Sequence, residues 1–334
     1  MTLSNENASH VGFSRTFAPG KLSLGIMMPT APLVHGVPNM TGQLAQAARI
    51  DELGFAALWS RDVPLFDPEF GDAGQIYDPW VWLSQLAART KNIALSTAGI
   101  VLPLRHPIHV AKAAASLDVL SGGRFMLGAA SGDRATEYPA FGYDHATRGQ
   151  AYRDGIETIR QLTEHDFPRF ASGPTAFDGG LDLLPKPTAP RLPLFAVGSG
   201  QQSVQWIAEH MDGWISYPRD IEDQRRRIGL WHTALDQRAP GQFKPFAQSL
   251  FVDLAEDPNA PQSPIFLGFR FGRNRLIDHL EGLQDLGVHH VMINLRHSTR
   301  PAAEVVEEFG AEVLPLFPAH GIVAESAKMI SQTV

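Results

Sequence analysis

Eight apolar runs of strand length, each followed by a segment of helical spacing, constrain this 334-residue chain more than any other feature. Residues 93–134 show the repeat most plainly. Residues 93–101 are an apolar, β-branched run suited to a buried strand. After a proline-bounded bend, Ile108, Ala111, Ala114, Ala115 and Val119 recur at helical spacing, and Ser121-Gly122-Gly123 stops the helix. Residues 125–130 form the next apolar strand. Two buried strands joined by one helix make a parallel βαβ unit.

The same alternation runs through the chain. Strands are expected at 22–28, 55–60, 93–101, 125–130, 193–197, 214–217, 246–254 and 290–295. Helices are expected at 43–53, from Asp78-Pro79 onward, 108–119, 148–164, 201–210, 221–235, 273–286 and 302–316. Asp78 suits a cap and Pro79 a first turn. No glycine-serine linker divides the chain, and no GxGxxG follows the first strand, which weighs against a doubly wound sheet. Strict alternation at this length predicts a (β/α)8 TIM barrel spanning 21–320, with surface tails at 1–20 and 321–334. Three irregular stretches, 66–78, 166–192 and 256–272, interrupt the rhythm and are candidate lids at the C-terminal face. A hairpin is expected near Phe177-Asp178-Gly179-Gly180.

Composition narrows the chemistry. There is no cysteine, so disulfides and thiolate sites are excluded. The net charge of −7 argues against nucleic acid as a partner. No apolar run is long enough to span a bilayer, and the polar first residues lack a secretion pattern, so a cytoplasmic protein with no membrane association is expected. Arg225-Arg226-Arg227, beside Glu222 and Asp223, reads as a solvated helix face rather than a phosphate patch. His106 and His109 read as a loop and a helix-face residue, His289 and His290 as surface or packing residues, and no metal site is expected.

A barrel builds its active site at the C-terminal strand ends. Those ends carry Arg61-Asp62, Ala98-Gly99, Ser131-Gly132-Asp133-Arg134, Gly198-Ser199-Gly200 and Tyr217-Pro218-Arg219. Gly198 to Ser203 opening into a helix is either a phosphate cradle or an ordinary cap. Arg61 with Asp62 is either an acid/base or anion-holding pair or a structural ion pair.

The runs Ala98-Gly99-Ile100-Val101-Leu102-Pro103-Leu104-Arg105-His106-Pro107, Asp118-Val119-Leu120-Ser121-Gly122-Gly123-Arg124-Phe125 and Leu127-Gly128 resemble those of the bacterial luciferase-like monooxygenase family. Glu137-Tyr138-Pro139-Ala140-Phe141-Gly142 with Arg148 beyond it, and Ala208-Glu209-His210-Met211-Asp212-Gly213-Trp214, extend the likeness over nearly all of 22–317. The resemblance implies a TIM barrel holding FMN, or a deazaflavin as the alternative, over its mouth. Carried over, it assigns the cofactor to Ala98, Gly99, Ser131, Gly132, Arg134, Gly198, Ser199, Gly200, Gln201 and Ser203. It implies a non-proline cis peptide at Ala98-Gly99. Arg61, Asp62 and Arg219 are expected to face substrate as the catalytic set.

Two departures stand out. Arg61-Asp62 occupies the place of luciferase's histidine pair, and Ser131 that of its phosphate-side arginine, with Arg134 three residues on. The pattern looks like that of an uncharacterised luciferase-type subgroup. The expected activity is an FMN-dependent monooxygenase acting on a small organic molecule. Reduced flavin would come from a separate reductase, and a homodimer is implied by the resemblance alone. A deazaflavin-dependent hydride-transfer enzyme and a non-catalytic flavin-binding protein are the alternatives.

Overall fold

The structure, a computed structural model, describes residues 4–35, 37–70 and 77–321. Eight strands form its centre: β1 (Ser23–Met28), β2 (Ala57–Ser60), β3 (Ala94–Thr97), β4 (Phe125–Ala130), β5 (Leu194–Val197), β6 (Gly213–Ser216), β7 (Phe246–Leu254) and β8 (His290–Asn294). Neighbours in sequence pair in parallel, and β8 returns to β1, closing the barrel. The helices between and after them are α1 (Gln43–Leu53), α2 (Pro79–Arg89), α3 (Pro107–Leu120), α4 (Arg148–Glu164), α5 (Val204–His210), α6 (Ile221–Arg238), α7 (Arg273–Leu286) and α8 (Ala302–Glu308). This is the TIM barrel that the alternation predicts.

Strand periodicity sorts the side chains into two cores. In β1, Leu24, Ile26 and Met28 face the helices, while Met27 faces inward with Trp59, Met126, Phe195, Ile215 and Met292. His290 also lies inside. Its Nε2 accepts from Trp59 Nε1 at 2.9 Å, so Nδ1 carries the proton and meets Ser23 Oγ at 2.7 Å. Gly25 makes room for this ring, since a Cβ there would lie 2.6 Å from His290 Nε2.

The helix ends follow local chemistry. Asp78 caps α2 by accepting from Trp80 N and Val81 N, with Pro79 at the first position. His106 caps α3 through its side chain. Arg124 donates to the carbonyls of Ser121, Ile93, Ala87 and Thr90, tying the ends of α2 and α3 to the base of β4. Asp212 accepts from Arg160, Arg191 and Leu194 N.

Several expectations are corrected. Residues 4–20 are not wholly a surface tail: a short helix (Val11–Thr16) and its C-cap place Phe13 and Phe17, four apart, in the inner core with Phe195 and Phe243, while Ser4, Glu6, Ala8, Ser9 and Val11 stay exposed. Two aromatic rings at that spacing outweigh the polarity of the first ten residues. The expected C-terminal tail lies outside the described residues beyond Gly321. The predicted third strand breaks at Ala98-Gly99 and resumes as Ile100–Val101, paired with Ala129 and Ala130. The cis peptides among the described residues are Met28-Pro29 and Leu184-Pro185, so Ala98-Gly99 is trans, and Gly99 makes the bend with φ of +105°. The hairpin at Arg169–Ser172 and Thr175–Asp178 turns at Gly173-Pro174, earlier than expected.

Candidate active site

The C-terminal strand ends enclose one cavity with two connected compartments. The polar one, about 400 Å³, is lined by the ends of β2 to β6 and by His145, Arg148 and Arg227. The apolar one, about 560 Å³, sits over the barrel axis. Met27, Phe70, Ile215, Phe251, Phe266, Leu267 and Met292 line it, with Ser249 and Asn294 as its polar points. Ala98, Val197, Asp133, Tyr217, Arg61 and Arg219 border both.

The bend at Gly99 shapes the floor. A Cβ there would lie 3.1 Å from Ala130 Cβ and 3.3 Å from Val197 Cγ1, so the surface beneath the cavity stays flat only with glycine. Gly132, with φ of +72°, likewise leaves no room for a Cβ against Val101 Cγ1. The Gly198 carbonyl accepts from Trp214 Nε1 at 2.7 Å. Gln202, nearly buried, donates to the carbonyls of Gly149 and Gly200, fixing the Gly198–Gln201 turn against α4.

Of the expected cofactor residues, Ala98, Gly99, Ser131, Gly132, Arg134, Gly198, Ser199, Gly200 and Gln201 line the polar compartment together. Ser203 does not. It caps α5, accepting from Trp206 N at 3.2 Å. That helix begins at Val204, three residues later than expected, so the 198–201 turn is not its first turn. Arg134 lines the wall, but its guanidinium sits 4.4 Å from the Phe70 ring centroid and donates to Leu65 O and Glu137 Oε1. It ties the segment after β2 to the segment after β4.

Arg61 and Arg219 border both compartments. Asp62 also lines the polar compartment, and its carboxylate is engaged by Arg105 and the Val101 amide. Its side chain is fully buried. Oδ2 accepts from Val101 N and Arg105 Nε, both at 3.0 Å, and Oδ1 from Arg105 Nη2 at 2.8 Å. With both oxygens engaged, it holds the resumed strand in place at the edge of the cavity.

Sequence reasoning missed other wall residues. Asp133 is a carboxylate common to both compartments. The 256–272 stretch supplies a hairpin (Ser263–Ile265, Gly268–Phe271) that pairs with β7 and brings Phe266 and Leu267 over the apolar compartment. Among the described residues of 66–78, Phe70 reaches the same place. The 166–192 stretch lines neither compartment. It follows α4 and precedes β5, so it joins a helix to a strand at the opposite end of the barrel.

The Arg225-Arg226-Arg227 run divides. Arg225 pairs with Glu222 and Arg226 with Asp223 on the exposed face. Arg227 turns inward, over the Trp214 ring at 5.1 Å, and lines the polar compartment. A sequence signal existed: three residues before it stands Gln224, where the other two arginines have an acid.

The sequence matches the profile of the luciferase-like monooxygenase family over residues 22–309. The chain belongs to the luciferase-like monooxygenase family. Within it, an uncharacterized protein of Mycobacterium tuberculosis is 34% identical over 164 residues, 46% of this chain and 57% of that protein. The F420-dependent hydroxymycolic acid dehydrogenase of M. tuberculosis is 33% identical over 187 residues, 54% of this chain and 50% of that enzyme. The chain spans about half the length of these curated relatives. Among solved structures, a monooxygenase from Streptomyces bottropensis superposes with a TM-score of 0.72 at 19% identity, covering 88% of this chain and 99% of that one. An F420-dependent secondary alcohol dehydrogenase gives 0.72 at 19% identity, with 89% and 99% covered. These two luciferase-like neighbours share the barrel fold. Among the described residues no helix is long and apolar enough to cross a membrane.

Proposed function

We propose that the protein is an FMN-dependent monooxygenase that takes reduced FMN from a separate reductase and acts with dioxygen on a small, largely apolar organic molecule. The observation that carries this reading is the two-part cavity: a cationic polar compartment continuous with an apolar one, over a flat floor at Ala98, Gly99 and Val197. The residues present fit a phosphate-bearing, planar cofactor. At the polar end, Arg148 and His145 line the wall, and the buried Arg148 Nε and His145 Nε2 have no hydrogen-bond partner, which leaves polar capacity beside the compartment that the fold does not use. Glycines at 99 and 132 keep the wall free of Cβ atoms.

Reduced FMN would supply the electron pair for the reaction of dioxygen with substrate. The protein's part is to bind, orient and dry the site. Arg148, the Ser199 hydroxyl and the Gly200 amide would hold the phosphate. With cofactor and substrate bound, Phe70, Phe251, Phe266 and Met292 would shield the apolar compartment from water, which strengthens electrostatic interactions inside it. Asp133 stands at the junction as the carboxylate available for proton transfer, since Asp62 is engaged elsewhere. The working form is a homodimer in the cytoplasm.

A deazaflavin-dependent hydride-transfer enzyme is the second reading. It is favoured by the 33% identity to a relative named as F420-dependent. Anaerobic titration with reduced FMN, followed by oxygen and a panel of apolar substrates, separates the two. Substrate-dependent oxygen uptake with oxygenated product supports the monooxygenase. Binding of F420 with hydride transfer to or from substrate, and no oxygen uptake, supports the second reading. FMN binding without turnover marks a non-catalytic binding protein, and binding of neither cofactor overturns all of these readings.

A further inference from the structure

The β6–α6 corner gathers positive charge that the fold itself does not use. Arg219 follows β6 and borders both compartments, and Arg227 on α6 lines the polar one. Neither forms an ion pair with any described residue, while Arg225 and Arg226 on the same helix each have an acid. Burial and the neighbouring Arg219 pull the Arg227 guanidinium below its usual range. Arg227 is half-buried and Arg219 exposed, and an anion held between the two guanidinium groups would relieve the repulsion felt by the half-buried one.

The geometry around Arg227 is organised. Its guanidinium lies over the Trp214 ring, a cation–π contact that restricts a rotamer-rich side chain. Trp214 Nε1 in turn donates to the Gly198 carbonyl, at the start of the turn that lines the same compartment. Arg227, Trp214 and the 198–201 turn are thus one connected wall. On the other side, the turn after β4 puts the uncharged Ser131 on the wall, and the guanidinium of Arg134 is committed to Glu137 and Leu65.

We infer that Arg219 and Arg227 clamp the phosphate of the bound flavin-type cofactor, so that the charge missing after β4 is supplied from β6 and α6. This rests on the reading above that such a cofactor binds here. The shared chemistry is a phosphate ester, from FMN or from a deazaflavin.

The test is equilibrium binding, read by tryptophan and flavin fluorescence and free of turnover. FMN is compared with riboflavin, and F420 with its phosphate-free deazariboflavin core, on wild type, Arg227→Gln, Arg219→Gln, Arg227→Lys and the exposed control Arg226→Gln. The expected result is that Arg227→Gln and Arg219→Gln each weaken the phosphate-bearing cofactor by about tenfold or more. The phosphate-free partner should change by less than about twofold, Arg227→Lys should recover part of the loss, and Arg226→Gln should match wild type. Unchanged FMN and F420 affinity in Arg227→Gln and Arg219→Gln, with wild type binding normally, overturns the clamp and leaves the cofactor reading standing. Equal losses for phosphate-bearing and phosphate-free cofactors also overturn it, since they mark a packing role through Trp214. Wild type that binds no cofactor removes both.

Discussion

Arg105 and Asp62 meet through two parallel hydrogen bonds, Nε to Oδ2 at 3.0 Å and Nη2 to Oδ1 at 2.8 Å. The same Asp62 oxygen accepts from Val101 N, and Arg105 reaches on to Asp78, the cap of α2. The pair therefore joins the ends of β2 and β3 to the start of α2, directly beneath the cavity wall. Asp62→Ala leaves a partly buried guanidinium and a backbone amide without their acceptor. It should destabilise the protein by about 3 kcal/mol, measured by urea unfolding. A loss of activity with stability unchanged would instead restore Asp62 to the reacting centre.

Stability should fall with acid earlier than carboxylate chemistry alone requires. Burial pushes His289 down to about 4 and His290 down to about 3. Both titrate near about 6.5 when unfolded. Below that pH the unfolded chain binds protons that the folded chain does not, so stability is lost as pH falls from about 6.5 toward the folded values. Between pH 7.5 and 5.5 the two should remove about 3 kcal/mol, seen as a lower urea midpoint. An equal or higher midpoint at pH 5.5 would contradict the neutral, buried assignment. Asp212 acts in a lower window. Burial alone would raise its carboxyl, but Arg160 and Arg191 hold it well below the usual range. Its contribution is lost only below about pH 4.

Much of this was legible because barrel strands and helices obey simple periodicities. The bounds of α1, β4, α4, β7 and α7 coincide with the apolar patterns read from the chain. The motifs that carry the family likeness turn out to be largely structural: Arg124 ties helix ends, Asp118 accepts from His10 and Thr188, and Asp212 anchors two arginines. They identify the fold strongly and the chemistry weakly. What was not legible depends on direction in space. Nothing in the sequence turns Asp62 toward Arg105, sends the 166–192 stretch to the far end of the barrel, or brings Phe266 back over the axis. Arg227 lay in between, since its missing acidic partner is visible in the helix spacing.

Gly99→Ala tests the floor. The residue sits at φ of +105°, and the added methyl would press on Ala130 and Val197, both cavity walls. The backbone strain is about 1–2 kcal/mol, which a barrel of this size should absorb. Cofactor affinity should nevertheless drop by about tenfold, since a 1.4 kcal/mol loss is a factor of ten. Unaltered affinity in a folded variant would place the flat ring elsewhere.

The hairpin over the apolar compartment is tied down by Asp253. Its Oδ1 accepts from Thr299 N and Oγ1, both at 2.9 Å, and its Oδ2 from Arg270 Nη1 at 2.6 Å. Asp253→Asn should speed amide hydrogen exchange in residues 263–271 by about tenfold while leaving β1 to β6 protected. Exchange that rises throughout the barrel would show that Asp253 supports the whole fold instead.

The most direct measurement of the central claim is a calorimetric titration of the anaerobic protein with reduced FMN, and separately with reduced F420, on wild type and Arg148→Gln. Arg148 lines the polar wall and carries a buried Nε with no hydrogen-bond partner. The account predicts one cofactor bound per chain, with affinity reduced about tenfold or more in Arg148→Gln. Binding of neither cofactor, or binding indifferent to Arg148, would contradict the assignment of the barrel mouth as the cofactor site.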